Sequence, residues 1–588
     1  MPAQRASTSV RIGNCSGFYG DRLSAMREML EAGDLDYLTG DYLAELTMLI
    51  LGKDQLKDPT LGYARTFVAQ VADSLALAMD LGVKLVANAG GLNPGGLASR
   101  LEELADSLGL APKIAWIDGD NLAPRAAELG FTGALTANAY LGAFGIARAL
   151  TEGADIVVTG RVTDASVVVG PAIAHHGWTP TSYDELAGAV VAGHIIECGT
   201  QACGGNFSGF LDLPRDATPL GFPLAEVEAD GSFVVTKPAG TGGVVSVDTV
   251  TAQLVYEVQS TLYLGPDVTT DLGSIRLNAE GPDRVRVSGV KGTEPPEQLK
   301  VCVNELGGMR NQMEFVLTGL DIEAKEEWIR TQLDARLAEN PPASVSWSRG
   351  ALPVADADTE EGASCLLRVT VKDPSADVVG KNFTAAAVEL ALASYPGFTL
   401  TAPPGRGSPY GIYRPEYVDR AEVTETVHLW DATTIEIPQP VIATRVPPGA
   451  TDVEPDPVEP IGPTVDAPAV NLPLGTFVHA RSGDKGGDAN IGLWVGGALS
   501  DQGGSELRDQ RVGWLLRLIT PDAIRRLLPE TKDLPVEIYP LPNLGGVNVL
   551  VRGLLGDGVA ASTRFDPQAK AVGEWLRSRF VHIPEELL

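Results

Sequence analysis

The stretch AGHIIECG carries residue types that take part in acid/base and covalent catalysis. His194 and Glu197 are three positions apart, so in a helix they lie on one face. A carboxylate beside an imidazole orients a general base, and the adjacent Cys198 becomes a nucleophile where its thiolate is stabilised. The alternative is a histidine at a helix end that bonds to its own turn. We take His194, Glu197 and Cys198 as candidate catalytic residues, with His194 first among them.

Four turns rich in glycine or asparagine follow candidate strands, at Gly13–Arg22, Asn88–Gly96, Thr159–Ser166 and Cys198–Phe207. Glycine lets backbone N–H groups approach a ligand, and a helix that follows favours an anionic group. One such turn alone is better interpreted as a plain connection, but four at one edge of a sheet favour a ligand pocket. The candidate binding residues in these turns are Asp21, Arg22, Asn88, Gly90, Gly91, Asn93, Arg161, Gly204, Gly205 and Asn206.

Charged residues in the turns add chemistry to that pocket. Arg22 or Arg161 would hold a carboxylate or phosphate, and Asp164 would transfer protons, which makes Asp164 a further catalytic candidate. The alternative is that these side chains form salt bridges that fix the loops.

The segment HARSGDKGGDANIG near the C-terminus is rich in charge for a glycine-rich loop between two strands. Arg481 and Lys485 would bind a phosphate or carboxylate, with Asp484 or Asp488 tuning them. The alternative is a self-contained loop that docks its domain on the rest of the protein.

No cofactor and no metal are predicted. GFYGDR lacks the G-x-G-x-x-G spacing of a dinucleotide site, and PAGTGGVVS lacks the G-K-[ST] ending of a P-loop. A metal site needs further ligands, and His175 and His176 are adjacent, so on a helix they point in different directions.

Composition limits the partners of the chain. It has 588 residues, with 76 Asp and Glu against 45 Lys and Arg, and a formal net charge of −31. Such a charge opposes binding to nucleic acid or to an anionic membrane. The five cysteines are scattered, the N-terminus lacks the apolar stretch of a signal peptide, and no apolar run reaches about 18 residues. We therefore expect a soluble cytoplasmic protein with a small-molecule substrate.

An α/β fold is predicted to position the turns. Short apolar runs alternate with amphipathic stretches over roughly the first 210 residues, which predicts a mostly parallel sheet covered by helices on both faces. The predicted strands are Val10–Cys15, Val83–Ala87, Lys113–Ile117 and Ile156–Thr159, and the predicted helices include Thr66–Leu81, Leu97–Leu108, Ala139–Leu150 and Ala324–Leu337.

Changes of pattern predict the domain organisation. Residues 1–220 form the α/β domain with the glycine-rich turns, and residues 221–447 alternate like a second α+β region. Residues 448–473 are predicted to be a Pro-rich linker. Residues 474–588 mix strands and helices as in a small α+β sandwich, with Gln568–Phe580 as its last helix.

An ordered series of motifs resembles the acyclic terpene utilisation family. They are SGFYGDR, GDYLAELTM, ANAGGLNP, TGRVTDAS, GHIIECGTQACGGNF and PAGTGGVVSVDTVTAQLVYE. The tail is similar to the ferredoxin-fold domain that accompanies this family, through HARSGDKGGDANIGLW and LPNLGGVNVLVRGLL. The resemblance spans nearly the whole chain and implies a ferredoxin-like C-terminal domain.

The resemblance also implies a role in the catabolism of acyclic terpenoids and branched acids, in pathways that use coenzyme A thioesters and include an acyl-CoA carboxylase. We expect a hydro-lyase or hydrolase, rather than an oxidoreductase, that hydrates, dehydrates, hydrolyses or cleaves a branched acyl-CoA or its free acid. Backbone N–H groups of Gly90–Gly91 or Gly204–Gly205 would polarise the thioester carbonyl. The alternative is a non-catalytic subunit or scaffold that partners the acyl-CoA carboxylase. An enzyme of this size is expected to form a homo-oligomer.

Overall fold

The computed structural model describes residues 9–440, 443–445, 468–497 and 505–588. The chain divides into two compact units. The first comprises Met1–Asn304, Tyr413–Val559 and Asp566–Leu588, and the second comprises Glu305–Ile412 and Ala560–Phe565. Over the described ranges, no helix has both the length and the apolar character needed to cross a membrane.

Strands and helices alternate along the described residues. The strands are β1 (Ser9–Asn14), β2 (Tyr37–Gly40), β3 (Lys84–Ala87), β4 (Ile114–Asp118), β5 (Ala134–Ala139), β6 (Ile156–Thr159), β7 (Leu224–Glu228), β8 (Phe233–Thr236), β9 (Leu262–Leu264), β10 (Thr269–Asp271), β11 (Arg276–Gly281), β12 (Arg284–Ser288), β13 (Lys291–Thr293), β14 (Gln298–Thr318), β15 (Ser344–Arg349), β16 (Ser364–Asp373), β17 (Thr399–Leu400), β18 (Ser408–Asp419), β19 (Thr426–His428), β20 (Thr434–Glu436), β21 (Ala469–Pro473), β22 (Val478–Lys485), β23 (Asp488–Val495), β24 (Val536–Leu541), β25 (Gly546–Val551) and β26 (Phe580–Pro584). The helices are α1 (Ala25–Ala32), α2 (Glu45–Lys57), α3 (Arg65–Leu81), α4 (Pro94–Ser107), α5 (Phe144–Thr151), α6 (Ser166–His176), α7 (Tyr183–Ile196), α8 (Val247–Leu254), α9 (Ile322–Leu337), α10 (Phe383–Val388), α11 (Ser505–Leu518), α12 (Pro521–Leu527) and α13 (Val572–Arg577).

Parallel strands form the centre of a large sheet in the first unit. They lie in the order β1-β2-β3-β6-β4, with Ile12 opposite Tyr37 and Val86 opposite Val157. These strands are short apolar runs because both faces of the sheet are covered. The predicted parallel sheet is confirmed, and its predicted strands lie within about one residue of the observed bounds.

Helices pack on both faces of this sheet. Phe67 of α3 and Leu101 of α4 are buried against one face, and Ile146 of α5 and Val167 of α6 are buried against the other. The apolar residues of each helix recur at helical spacing, so one side of the helix can enter the core. Helices cover both faces, as the sequence predicts.

The predicted helix Ala139–Leu150 begins too early. Strand β5 ends at Ala139, and α5 begins at Phe144. The backbone N–H of Tyr140 donates to the backbone carbonyl of Lys300 at 2.9 Å, which continues the pairing of β5 with β14 past the end of β5. Long-range strand pairing therefore overrides the helical propensity of this alanine-rich run.

Antiparallel strands extend the large sheet at both edges. β7, β8, β12 and β11 continue outward from β1, and β19 and β20 continue from β4, which gives an 11-stranded mixed sheet. Six strands from beyond residue 220 therefore belong to the same sheet as the first region, whereas β9, β10 and β13 form a separate three-stranded sheet. Of the predicted linker 448–473, residues 448–467 lie outside the described residues, and Ala469–Pro473 forms β21, paired with β26.

The C-terminal domain is a four-stranded antiparallel sheet packed with helices. Its strand order is β22-β23-β25-β24, and Trp514 of α11 and Leu576 of α13 are buried in its core. This is the expected α+β sandwich, although its last helix is shorter than the predicted Gln568–Phe580.

The predicted loop in HARSGDKGGDANIG is wrong. Strands β22 and β23 pair as far as Lys485 and Asp488, so the chain turns within Gly486 and Gly487. Gly486 has φ +66°, a left-handed conformation that glycine adopts without strain and that a two-residue hairpin needs. The dense glycine and aspartate content of the segment resembles a loop, but the hydrogen-bonded ladder continues through it.

The second unit contains strands β15, β16, β17 and part of β14, packed by α9 and α10. Ile329 and Leu333 of α9 and Phe383 of α10 are buried with Phe315 of β14. Helix α9 begins at Ile322, two residues before the predicted Ala324–Leu337.

Two buried asparagines join the C-terminal sheet to the segment that follows α8. Asn490 Oδ1 accepts from the backbone of Glu257 at 2.7 Å, and its Nδ2 donates to the carbonyl of Val255 at 3.2 Å. Nδ2 of Asn548 donates to the carbonyl of Val258 at 3.1 Å. Buried backbone groups need partners, so these bonds hold Glu257 at φ +57°, a conformation rare for a non-glycine residue.

Replacing Asn490 with Ala should destabilise the protein, because the Glu257 amide and the Val255 carbonyl lose their partners. The free energy of unfolding is expected to fall by about 2 to 4 kcal/mol, measured by urea denaturation with circular dichroism. Asn471→Ala on exposed β21 is the matched control and should change it by less than about 0.5 kcal/mol. Equal denaturation midpoints for Asn490→Ala and the unmodified protein would contradict this account.

Candidate functional site

Buried polar side chains follow the carboxyl ends of the parallel strands. Asp41 follows β2, Asn88 follows β3, and Arg161 follows β6. Nδ2 of Asn88 donates to Oδ1 of Asp41 at 2.6 Å, and its Oδ1 accepts from the backbone of Tyr42 at 2.8 Å. Asn88, a predicted binding residue, is thus fully used in orienting Asp41 and its turn.

Asp120, which follows β4, fixes the turn that carries Arg161. Its Oδ2 accepts from the backbone N–H of Arg161 at 2.9 Å and from Nδ2 of Asn138 at 2.7 Å. The residue before Arg161 must be glycine, because a Cβ on Gly160 would lie 2.3 Å from Oδ1 of Asp120. Burial raises the pKa of Asp120 to about 6 despite these hydrogen bonds.

Arg161 is 1% exposed and has partners on several sides. Its Nη1 donates to Oδ1 of Asp164 at 2.7 Å and to the carbonyl of Leu43 at 3.2 Å. The guanidinium also lies over the ring of Tyr140, 4.4 Å from its centroid. A buried guanidinium is costly unless it is paired and hydrogen-bonded, and this arrangement supplies both.

Helix α7 brings His194 and Glu197 to the same region. Asn14, at the end of β1, donates from Nδ2 to the carbonyls of Ile196 at 2.6 Å and Glu197 at 2.8 Å, which fixes the helix end. Nδ1 of His194 lies 3.3 Å from Oε1 of Glu197, on one helical face. Among the described residues, neither ring nitrogen of His194 has a hydrogen-bond partner. The His194 ring lies 5.3 Å from the ring of Tyr263.

A cavity of about 150 Å³, here called the main cavity, lies beside these residues. A cavity of this size holds a molecule about as large as benzene. Its charged lining consists of carboxyl groups and cations, and leucine and proline side chains form its apolar part. The carboxyl groups are Glu45, Asp164, Glu257 and Asp484, the cations are Arg161, Lys300 and Lys485, and the apolar residues include Leu262, Leu264, Pro266 and Leu299.

Lys300 and Glu45 form a second charge pair in the lining. Nζ of Lys300 lies 3.8 Å from Oε1 of Glu45 and 4.8 Å from the ring centroid of Tyr140. Burial would raise the pKa of Glu45, but the positive charges of Lys300, Arg161 and Lys485 lower it to about 2. Glu45 is therefore ionised at neutral pH.

The C-terminal domain supplies part of the cavity lining. Asp484 and Lys485 come from the end of β22, and Glu257 comes from the segment that Asn490 holds. Nζ of Lys570 lies 3.8 Å from Oε1 of Glu257, which gives this carboxylate its own cation. The two regions of the first unit therefore form one site.

Burial raises the pKa of several carboxyl groups around Arg161. The pKa values of Asp41 and Glu197 lie well above the ordinary range, because burial disfavours their anions and the charge of Asp164 repels them. Burial also raises the pKa of Asp164, against the opposing charge of Arg161. A raised pKa favours the protonated form of each group, which suits a proton donor.

The pKa of Asp484 is raised and the pKa of His194 is lowered. Burial, with the charges of Glu257 and Glu45, raises the pKa of Asp484 to about 7. Burial and the charge of Lys485 lower the pKa of His194 to about 4, against the charges of Glu257 and Asp164. His194 is therefore a neutral imidazole at neutral pH, as a general base must be.

The structure brings a minority of the predicted site residues to the main cavity. Arg161, Asp164 and Lys485 line it. His194 and Glu197 are buried next to this group, and neither is in the lining. Burial raises the pKa of Cys198 well above the ordinary range, so its thiolate lacks the stabilisation that a nucleophile needs.

Arg22 and Asp21 lie in local contacts away from the cavity lining. Arg22 bonds to Glu28 at 2.7 Å and to the carbonyl of Leu220 at 3.1 Å. Asp21 accepts from the backbone of Gly17 at 2.9 Å. These contacts correspond to the loop-fixing alternative for both residues.

Glycines and asparagines of the predicted turns also have structural contacts. Asn93 caps α4 by accepting from the backbone of Gly96 at 2.9 Å. A Cβ on Gly90 would lie 2.5 Å from the carbonyl of Thr159, and Gly91 has φ +53°. These two glycines are thus needed for a close approach and a left-handed turn, whether or not a ligand binds.

The turn that contains Gly204, Gly205 and Asn206 contacts the C-terminal domain. Nη1 of Arg481 donates to the carbonyl of Asn206 at 3.1 Å, and its guanidinium lies 4.3 Å from the ring centroid of Tyr256. Arg481 is 4% exposed. These contacts are the ones expected if the segment docks the C-terminal domain on the rest of the protein.

Several lining residues were not predicted. They come from elements that are distant in sequence: the start of α2, strands β9 and β14, the residue after β5 and the segment after α8. These residues are Glu45, Tyr263, Lys300, Tyr140 and Glu257. A local signal exists for Lys300, a cation inside the apolar alternation of QLKVCV. Within the described residues, no group of three or more His, Cys, Asp or Glu side chains has the arrangement of a metal site.

Replacing Arg161 with Met should destabilise the protein most at alkaline pH. The pKa values of Asp41, Asp164 and Glu197 are raised in the folded state, so the contribution of these three groups to stability is fully present below the ordinary carboxyl range and is lost as pH rises through the raised values. Without the guanidinium these pKa values rise further. The free energy of unfolding should fall by about 3 to 5 kcal/mol near neutral pH, and by less in acid.

Urea denaturation of both proteins across this pH range measures the effect. Arg148→Met, on the exposed side of α5, removes a cation that pairs with neighbouring Glu152 and is the matched control. A loss of stability for Arg161→Met that is the same at all pH values would show that the carboxyl groups do not depend on it.

Comparisons with known proteins agree with this architecture. The family model described as acyclic terpene utilisation family protein AtuA matches residues 10–429, and the model of the AtuA ferredoxin-like domain matches residues 472–582. No curated protein and no solved structure matches the chain. The resemblance in the sequence motifs is thereby confirmed, including the ferredoxin-like tail. The chain belongs to the acyclic terpene utilisation family and carries the ferredoxin-like domain of that family.

Proposed function

We propose that this protein is a catabolic enzyme that hydrates, dehydrates, hydrolyses or cleaves a small branched carboxylic acid or its coenzyme A thioester. The observation that carries the proposal is a protonatable carboxyl group, Asp164, beside a buried guanidinium, Arg161, in the lining of a partly apolar cavity. Such a pairing supplies a proton donor and a positive charge at one place.

The lining contains carboxyl groups in different protonation states. The pKa of Glu45 is about 2, whereas the pKa of Asp164 is raised by burial and that of Asp484 is raised to about 7. Adding or removing water requires a group that gives a proton and a group that takes one. Carboxyl groups whose pKa values are pushed apart in one site are suited to these two roles.

The apolar part of the lining suits a branched alkyl group. Leu262, Leu264 and Leu299 can pack against methyl branches, and about 150 Å³ accommodates a short acyl chain better than a complete ten-carbon terpenoid. The family description names acyclic terpene utilisation, and acyclic terpenes carry methyl branches of this kind. No bound cofactor is part of the proposal.

The competing proposal is a non-catalytic subunit that partners an acyl-CoA carboxylase. In that role the ferredoxin-like domain would serve for docking. Asp484 and Lys485 of this domain lie in the lining of the main cavity, which favours a catalytic role for the domain. Purification from the native host separates the two: a scaffold should bring a stoichiometric partner, and the enzyme should elute alone, as a homo-oligomer.

Product analysis tests the proposed reaction. The purified protein would be incubated with saturated, enoyl and 3-hydroxy branched acyl-CoAs and with their free acids, and the products analysed by mass spectrometry. A gain or loss of water establishes hydration or dehydration, released coenzyme A establishes thioester hydrolysis, and a shorter acyl chain establishes cleavage. An unchanged panel would contradict the proposal.

Asp164→Asn should reduce turnover of the substrate found in that panel by about 100-fold or more, because the amide keeps the shape but cannot transfer a proton. His194→Gln should reduce turnover less than Asp164→Asn does, since His194 lies outside the cavity lining. Asp533→Asn, at an exposed position, is the control and should leave the rate unchanged. An equal or larger loss for His194→Gln would instead assign the proton transfer to His194, the first candidate of the sequence.

A further inference from the structure

The cations of the main cavity differ in whether they have a partner. Arg161 is paired with Asp164 at 2.7 Å, and Lys300 lies 3.8 Å from Glu45. Lys485 lines the same cavity, yet among the described residues its ammonium group has neither an ion-pair partner nor a hydrogen-bond partner. A partly buried ammonium that lacks a direct partner is suited to bind an anion.

The charge of Lys485 acts on groups from several elements around the cavity. It stabilises the anions of Glu45 at the start of α2, Asp164 before α6 and Glu197 at the end of α7, and it opposes protonation of His194. Lys300 of β14 also feels its repulsion. Lys485 thus contributes positive charge to the site whose cavity it lines.

Asp484 is the neighbour of Lys485 in the lining. It is faced by the carboxylates of Glu257 and Glu45 and by the cation of Lys570. Glu257 has Lys570 at 3.8 Å, Glu45 has Lys300 and Asp164 has Arg161, whereas Asp484 forms no ion pair with any residue that the structure describes. When protonated it can donate a hydrogen bond to a second carboxylate, which is a short and strong interaction.

We propose that Lys485 and Asp484 bind the free carboxylate of a branched acid of about four to six carbons, whose alkyl group packs against Leu262, Leu264 and Leu299. This inference rests on the proposed function and narrows its substrate class. The acyl end of a coenzyme A thioester is uncharged and would leave the Lys485 ammonium without a partner. A free carboxylate supplies the missing negative charge and an acceptor for the Asp484 proton.

Calorimetric titration with 3-methylbutanoate, 3-methylbut-2-enoate and the neutral isostere 3-methylbutanamide tests the inference on the full chain. The acids should bind at least about 10-fold more tightly than the amide, because only they pair with the ammonium. Equal binding of acid and amide, or no saturable binding of either acid, would overturn it.

Variants assign the binding to Lys485. Lys485→Met should weaken acid binding by at least about 10-fold, whereas Lys485→Arg keeps the charge and should retain most of it. Lys532→Met, at an exposed surface position, is the matched control and should bind like the unmodified protein. Circular dichroism confirms that each variant is folded, and unchanged affinity in folded Lys485→Met would refute the assignment.

The dependence on pH tests Asp484. The acids are ionised above about pH 6, so any change of affinity at higher pH comes from the protein. Protonated Asp484 donates to the ligand and ionised Asp484 repels it, so affinity should fall as pH rises through the pKa of about 7. Asp484→Asn always donates, and should bind the acid with this pH dependence removed. A pH dependence that persists in Asp484→Asn would contradict the role of Asp484.

The two proposals can fail separately. A protein that turns over branched acyl-CoAs but does not bind the free acids would keep the proposed function and lose this inference. A protein that binds the acids through Lys485 but changes no compound of the panel would keep the inference and lose the proposed function.

Discussion

The buried guanidinium of Arg161 is the interaction on which the site depends. Asp41, Asp164 and Glu197 lie close enough to repel one another, and the cation among them lowers the cost of placing their charges together. Several residues hold that cation in place. Asp120 fixes its backbone, Gly160 removes a clash, and Tyr140 presents its ring face.

Charge compensation extends from Arg161 through the rest of the lining. Carboxylates and cations meet in pairs supplied by distant segments, such as Glu45 with Lys300 and Glu257 with Lys570. The result is a cavity that contains many ionisable groups, most of them paired with an opposite charge. In such surroundings a small change of occupancy or protonation has a large electrostatic effect, because little water is present to screen it.

The sequence predicts the parts of this arrangement that depend on local pattern. The strand ends, the helical spacing of His194 and Glu197, and the charged turn with Arg161 and Asp164 all follow from period and turn chemistry. The sequence does not place Lys300 and Glu257 in the site, because strand pairing and the hydrogen bonds of Asn490 bring them in from far along the chain. The hairpin at Gly486 was missed for the opposite reason, since its local composition resembles a loop and only the ladder with β23 makes it a strand. Whether the predicted residues catalyse or bind stays a prediction.

Glu257, whose backbone is in the left-handed conformation, connects the two family regions by a hydrogen bond that a domain boundary drawn along the sequence does not reveal. Its conformation belongs to the larger region, but the acceptor for its amide, Asn490, belongs to the ferredoxin-like domain. Neither region contains the complete geometry by itself. A protein that carried the larger region on a separate polypeptide would have to recruit the smaller domain as a subunit, or provide another acceptor at this point. The pair is therefore better regarded as one structural unit than as a large region with an independent appendage.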